Sequence, residues 1–262
     1  MTEKQKSFSI LRSWNYCHID IAEEFLQLQK TNALSRNCQY QRIWQTKQKY
    51  VLKVTADNGV TFAYKAYDDL KKKYKYLFRL SPCGAEAANI QLITALGIPM
   101  PRLLAAGDKR QCGILQSSYI ATEFAEGFRD GRDFYGSGTA AENHPLRNEF
   151  IKKNMELLAH CHDNNIVHRG FTPANLLYKH NGTGNQIDLM WIDVASCRKL
   201  PRWVLKKMFI VDFEQFFRFF DFSDAELAEF IQHYLQNSAA PPATAGDIIK
   251  KLRIALAKRN KR

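Results

Sequence analysis

Lys65, Glu86, Asn175 and Asp193 bring a cation, its acidic partner, an amide and a second carboxylate into one order along the chain. Transfer of a phosphoryl group asks for that set: a cation on the phosphates, oxygen ligands for Mg²⁺, and a group that orients the attacking hydroxyl. Lys65 sits in the run Val60–Tyr67, where alternation lets it leave one face while its neighbours pack. A lysine on a strand by itself is expected to face solvent; a following helix that carries an acid changes the expectation. Glu86 is placed in the first turn of that helix, as the ion-pair partner of Lys65 or as an acid that stabilises the helix dipole. Asp193 ends the apolar run Leu189–Ile192, and an acid straight after a buried strand is costly unless it has a task. Asn175 follows Pro173, where it either caps a turn or holds a metal. His168, Arg169 and Gly170 lie just before it, and Gly170 offers no side chain to orient a hydroxyl.

These residues need elements to hold them. Tyr40–Trp44, Tyr50–Thr55 and Val60–Tyr67 read as strands, the last two joined by Asp57-Asn58-Gly59, a tight-turn signal. A helix is predicted over 85–96, stopped by Gly97 and kept from resuming by Pro99 and Pro101. Arg102–Ala106 and Ser118–Phe124 complete a five-stranded antiparallel sheet, with the turn at Gly107–Arg110. A long amphipathic helix is expected over 145–163, then two short strands at Leu176–Tyr178 and Asp188–Ile192 around Asn181–Gly184. After Pro201 the chain reads as mainly helical, and Pro241-Pro242 breaks it before a basic terminal helix. Residues 1–35 read as a helical extension, with helical spacing over Ile19–Lys30. The division expected is 1–35, then 36–123, rich in strands, then 124–262, rich in helices.

Composition narrows the setting. Hydrophobic residues make up 45% and charged residues 24%, an ordinary globular balance. No apolar run approaches the roughly 20 residues that span a bilayer, and no secretory signal is visible at the start. A cytoplasmic protein is the expectation. The six cysteines form no C-x-x-C pair and are expected to be small buried thiols. The net charge of +12 calls for a polyanionic partner or a solvated face. Lys71–Lys75 and Lys258–Arg262 are the densest basic runs. Nucleic acid is the least expected polyanion, since neither zinc spacing nor an RNA-binding aromatic pattern is present.

The run Ile166–Tyr178 is similar to the catalytic loop of protein kinases, H-R-D-x-x-x-x-N, with Gly170 in place of the Asp. With Lys65, Glu86, Thr122-Glu123, Asp193 and Asp212 in order, the chain resembles the bacterial lipopolysaccharide kinases, the Kdo/heptose kinase family. Tyr76–Ala87, Leu96–Pro101 and Val211–Phe217 carry further likeness, which extends over about residues 40–235. The resemblance implies an α+β, protein-kinase-like fold with two lobes: a small five-stranded lobe with one helix, and a mainly helical lobe.

It also implies roles for single residues. Lys65, paired with Glu86, would hold the ATP phosphates; Glu123 and Phe124 would be the hinge whose backbone meets adenine; Asn175 and Asp193 would bind Mg²⁺. His168 and Arg169 would belong to the catalytic loop, and Asp212 would be a buried support for that loop. Val194 and Ala195 replace the Phe and Gly that follow the metal-binding Asp in protein kinases, and Gln45–Lys49 replaces the glycine-rich loop with lysines. The activity implied is phosphorylation of a sugar hydroxyl, heptose or Kdo, of the lipopolysaccharide core at the inner membrane. Gly170 opens the alternative of a pseudokinase that binds nucleotide and transfers nothing.

Overall fold

The computed structural model describes residues 14–17, 39–47, 49–68, 73–135, 146–182 and 184–259. The helix expected over Ile19–Lys30 lies outside them, as do Lys71, Lys72 and the last three residues of the tail. The chain divides into two compact units: residues 1–91 with 101–126, and residues 92–100 with 127–262.

The first unit is an antiparallel sheet of six strands, one more than the sequence suggests. Its strands are β1 (Trp14–Cys17), β2 (Gln39–Gln45), β3 (Lys49–Thr55), β4 (Thr61–Tyr67), β5 (Leu103–Gln111) and β6 (Ile114–Glu123), in the spatial order β1-β5-β6-β4-β3-β2. The added strand pairs with β5, Trp14 opposite Asp108 and Cys17 opposite Ala105. It comes from the segment read as a helical extension. A four-residue edge strand leaves almost no periodic signal, so only its partner reveals it.

Gly59, at φ 83°, supplies the left-handed residue that closes the β3–β4 turn, and its N–H donates to Ala56 O at 2.9 Å. The turn between β5 and β6 is Cys112-Gly113, not Gly107–Arg110. Both residues have positive φ, 49° and 78°, as a two-residue turn matched to strand twist requires. Cysteine is a rare choice there, and it leaves Cys112 exposed, whereas Cys83, Cys161 and Cys197 are buried as expected.

Along β4 the alternation separates two jobs. Phe62, Tyr64 and Ala66 are fully buried in one cluster with Leu52, Val54 and Ala121; Lys65 leaves the opposite face. Helix α1 (Pro82–Thr94) begins three residues before the predicted start. Ser81 caps it: Ser81 Oγ accepts from the Gly84 N–H at 2.9 Å, and Pro82 takes the first position, where its missing N–H is no loss. Glu86 therefore lies in the second turn, past the reach of a dipole role.

The second unit is mainly helical. It holds α2 (Arg147–Asp163), α3 (Arg202–Met208), α4 (Ile210–Phe217), α5 (Asp224–Gln236) and α6 (Ala245–Arg259), with short strands β7 (Arg129–Asp130), β8 (Ile166–Val167), β9 (Leu176–His180), β10 (Ile187–Trp191) and β11 (Arg198–Lys199). β9 and β10 form the predicted hairpin, extended by β7, and β8 pairs with β11. The core is aromatic: Phe134, Phe150, Phe171, Trp191, Phe209, Phe213, Phe216, Phe217 and Tyr234 are essentially inaccessible. Two buried polar side chains, Trp191 and Asn154, are paired within it. Trp191 Nε1 donates to Asn154 Oδ1 at 3.0 Å, and Asn154 Nδ2 donates to Phe150 O at 2.8 Å. Gly131 is required by packing, since a Cβ there would come within 2.4 Å of Phe150 Cζ.

Candidate active site

In the first unit the candidate residues reduce to one ion pair and one strand end. Lys65 Nζ donates to both oxygens of Glu86, at 2.6 and 2.8 Å, and the two side chains are only 13% and 6% exposed. The strand holds the lysine and the second turn of α1 holds the carboxylate. In a setting this dry, a charge without its partner is expensive, so each fixes the other. Glu123 ends β6 and Phe124 follows it. Their amides are already spent, donating to Arg102 O at 2.9 Å and Thr61 O at 3.2 Å. Glu123 also pairs with Arg102 at 3.4 Å, and the Phe124 ring carries Lys53 Nζ at 4.4 Å. Ala125, which the sequence did not single out, is the next amide; it makes no backbone hydrogen bond among the described residues.

In the β2–β3 turn, the Thr46 N–H donates to Lys49 O at 2.7 Å, and Lys49 Nζ lies 5.0 Å from the Trp44 ring centroid and 5.5 Å from that of Tyr67.

In the second unit the loop after β8 is held from below by α4. Asp212, fully buried, accepts from the backbone N–H of His168 at 2.7 Å and of Arg169 at 2.6 Å. The His162 ring packs behind it, Nε2 3.2 Å from the same carboxylate and Nδ1 2.9 Å from the Tyr234 hydroxyl. One helical turn on, Gln215 completes the clamp: its Oε1 accepts from the Phe171 N–H at 3.1 Å and its Nε2 donates to Arg169 O at 3.3 Å. Gln215 was not foreseen; its signal is the i, i+3 spacing from Asp212, which puts both on one helix face. The clamp holds Arg169 at φ 60°, a left-handed conformation that bulky side chains avoid. Such strain survives where surrounding contacts over-determine it.

His168 serves packing. It is fully buried, its ring lies 5.6 Å from Phe171 and 5.3 Å from Trp191, and neither ring nitrogen has a hydrogen-bond partner among the described residues. Burial pushes its pKa down, against the pull of Asp212 and Asp193.

Gly170 is fixed through its carbonyl, which accepts from the Thr172 N–H at 2.8 Å and from Asn175 Nδ2 at 2.9 Å. That bond engages the nitrogen end of the Asn175 amide, so Oδ1 is the atom that could serve as a metal ligand. The β9–β10 ladder then brings Asn175 to Asp193: Leu176 pairs with Trp191, and the Ile192 N–H donates to Asn175 O at 2.9 Å. Asp193 follows at once, at φ 56° and ψ 52°. A left-handed residue two positions after β10 turns the chain away from the strand direction. A Cβ at position 170 would meet only ordinary contacts, the nearest being His168 Nδ1 at 3.5 Å. The loop has room for a Cβ at this position.

A family model described as the lipopolysaccharide kinase (Kdo/WaaP) family matches residues 29–234, well over half of the chain. The chain belongs to the Kdo/WaaP lipopolysaccharide kinase family. Among solved structures it is similar to WaaP in complex with acyl carrier protein, with a TM-score of 0.61 and 13% identity over 95% of this chain and 97% of that one. At that identity the likeness is one of fold, and the fold is protein-kinase-like, as the sequence predicts. Among curated proteins none matches the chain.

A lipopolysaccharide kinase acts on the lipopolysaccharide core, and a kinase takes its phosphoryl group from a nucleotide with a divalent cation. The donor set suits Mg²⁺. That ion takes hard oxygen ligands and is satisfied by one or two protein oxygens plus the nucleotide phosphates and water. Asn175 Oδ1 and the Asp193 carboxylate are such oxygens, tied together through Ile192. The described residues contain no group of three or more His, Cys, Asp or Glu side chains placed to hold a metal alone. Asp163, seven residues before Gly170 in sequence, is committed elsewhere: it accepts from Ser238 Oγ at 2.6 Å and from the N–H groups of Ala239 and Ala240 at 2.7 and 3.1 Å.

Proposed function

We propose that this family member is an ATP- and Mg²⁺-dependent kinase that phosphorylates a heptose or Kdo hydroxyl of the lipopolysaccharide core, working from the cytoplasmic side at the inner membrane. The observation that carries the nucleotide part is the Lys65–Glu86 pair, two hydrogen bonds of 2.6 and 2.8 Å in a nearly dry setting. Lys65 would neutralise the ATP phosphates, Asn175 and Asp193 would hold Mg²⁺, and Ala125 would offer the hinge amide to adenine. Mg²⁺ supplies charge neutralisation at the transferred group; the residues of the chain position it. Asp212 and Gln215 would keep the loop in shape, and His168 would fill the space beneath it.

Gly170 supports a second reading. A positioned base contributes about 10²–10⁴ in rate, and no carboxylate stands at that place in the loop. Electrostatic positioning by Lys65 and the metal would remain, giving a slow kinase. If the remaining rate is nil, the chain is a nucleotide-binding pseudokinase.

Transfer of labelled phosphate from ATP to a lipopolysaccharide core acceptor separates the readings. A kinase gives transfer that needs Mg²⁺ and disappears in Asp193→Ala. No transfer, together with a thermal shift by ATP and Mg²⁺ that Asp193→Ala abolishes, supports the pseudokinase. Neither transfer nor shift sinks both.

A further inference from the structure

The segment that follows Asp193 carries charge the proposed chemistry does not use. From Val194 to Val211 the sequence holds Arg198, Lys199, Arg202, Lys206 and Lys207 and no acid. Arg202 is structural, its guanidinium donating to His162 O at 2.9 Å and to Ala240 O. The other four are exposed. Helix α3 divides its faces accordingly: Leu205 is fully buried, while Trp203, Lys206 and Lys207, at i, i+3 and i+4, share the opposite face. Trp203 is 67% exposed, and Lys207 Nζ lies 5.7 Å from its ring centroid. A lone exposed tryptophan is unremarkable. One that stands beside Lys207, in a segment with three further exposed cations and no acid, is another matter. Asp247 on α6 lines a shallow cavity with Lys206 and Lys251, so the single carboxylate there is outnumbered by two lysines.

We infer that Arg198, Lys199, Trp203, Lys206 and Lys207 form the surface by which this chain docks on an anionic phospholipid bilayer. Tryptophan belongs at the membrane–water boundary, where its ring is half wet. Clustered Lys and Arg are drawn to anionic headgroups within a Debye length. Charge complementarity selects the bilayer: the exposed cations of the segment match anionic headgroups, and Trp203 supplies one aromatic anchor beside them. The place of the patch gives it a use. Arg198 pairs with Val167 and Lys199 with Ile166 in the β8–β11 ladder, and His168 is the next residue after β8. Docking through these residues would bring the 168–175 loop to the bilayer, where a lipid-anchored acceptor resides. That use rests on the proposed kinase reading, whereas the docking itself does not.

Co-sedimentation of the full chain with vesicles of phosphatidylglycerol and phosphatidylethanolamine, against phosphatidylcholine alone, tests the inference. The wild type is expected to bind the anionic vesicles and not the neutral ones, and to release at high salt. Lys206→Glu with Lys207→Glu is expected to weaken binding at least about tenfold. Trp203→Phe is expected to abolish the blue shift of tryptophan emission on anionic vesicles. Both variants should keep the wild-type thermal shift with ATP and Mg²⁺, which shows that they fold and keeps the two proposals apart. Equal binding to both vesicle types, no binding by the wild type, or undiminished binding by the charge-reversed variant overturns the docking surface. Binding to anionic vesicles with no response to ATP would leave it standing and remove the nucleotide reading.

Discussion

The Lys65–Glu86 pair and the loop from His168 to Asn175 are both preorganised, but by opposite means. The pair is self-contained: two side chains from a strand and a helix, each satisfying the other at 2.6 and 2.8 Å. The loop is held almost wholly through its backbone, by Asp212 under two amides, Gln215 across Gly170, and Asn175 on the Gly170 carbonyl. The first device loses its function if either side chain changes. The second can lose the side chain at its centre and still keep its shape. A backbone-held loop thus tolerates Gly170, and the absence of a carboxylate there says nothing against the fold.

That contrast can be tested by changing the loop and its clamp. Gly170→Asp should have the largest effect, raising phosphate transfer by about 10²–10⁴, with melting unchanged within a few degrees because a Cβ there meets nothing closer than 3.5 Å. A variant that melts far lower, or transfers no faster, would mean the loop is not shaped for a base. Asp212→Ala comes next. It leaves two amides without their acceptor, a loss of about 3 kcal/mol or more, read as a fall in Tm of roughly 6–12 °C. Gln215→Ala should cost about 1 kcal/mol while slowing transfer, since the backbone on both sides of Gly170 loosens. An unchanged transfer rate would confine Gln215 to stability.

The smallest effect concerns pH. Burial lowers the His168 pKa, so the unfolded chain takes up that proton first as pH falls. The resulting stability is present above about pH 6.5 and is lost as pH drops toward the folded value. His168→Phe should flatten that part of the stability–pH curve, and a curve with the same slope would show that another group sets it.

Much of this architecture is legible in the residues. The hairpin at Asp57-Asn58-Gly59, the helix stopped by Gly97 and the strand just before Asp193 follow from turn chemistry and apolar runs. Other features are not. Trp14–Cys17 is too short to carry a period and declares itself only by pairing with β5. The Ser81-Pro82 cap is a readable helix start, and overlooking it put Glu86 in the wrong turn. Cys112-Gly113 uses an uncommon residue for a two-residue turn, so the glycine five residues earlier drew the expectation instead.

The sequence by itself determined the inventory: a lysine on a strand, an acid on the next helix, an asparagine and an aspartate around a short hairpin, and a glycine where a carboxylate would stand. Those are matters of residue type and local spacing, set by periodicity and turn preference. The tertiary structure decided which of them meet. Only packing brings Glu86 to Lys65 across 21 residues, Asp212 to the loop amides across more than 40, and Trp203 to the solvent beside two lysines. Contacts so distant in sequence depend on how the whole core closes, and no local pattern encodes that.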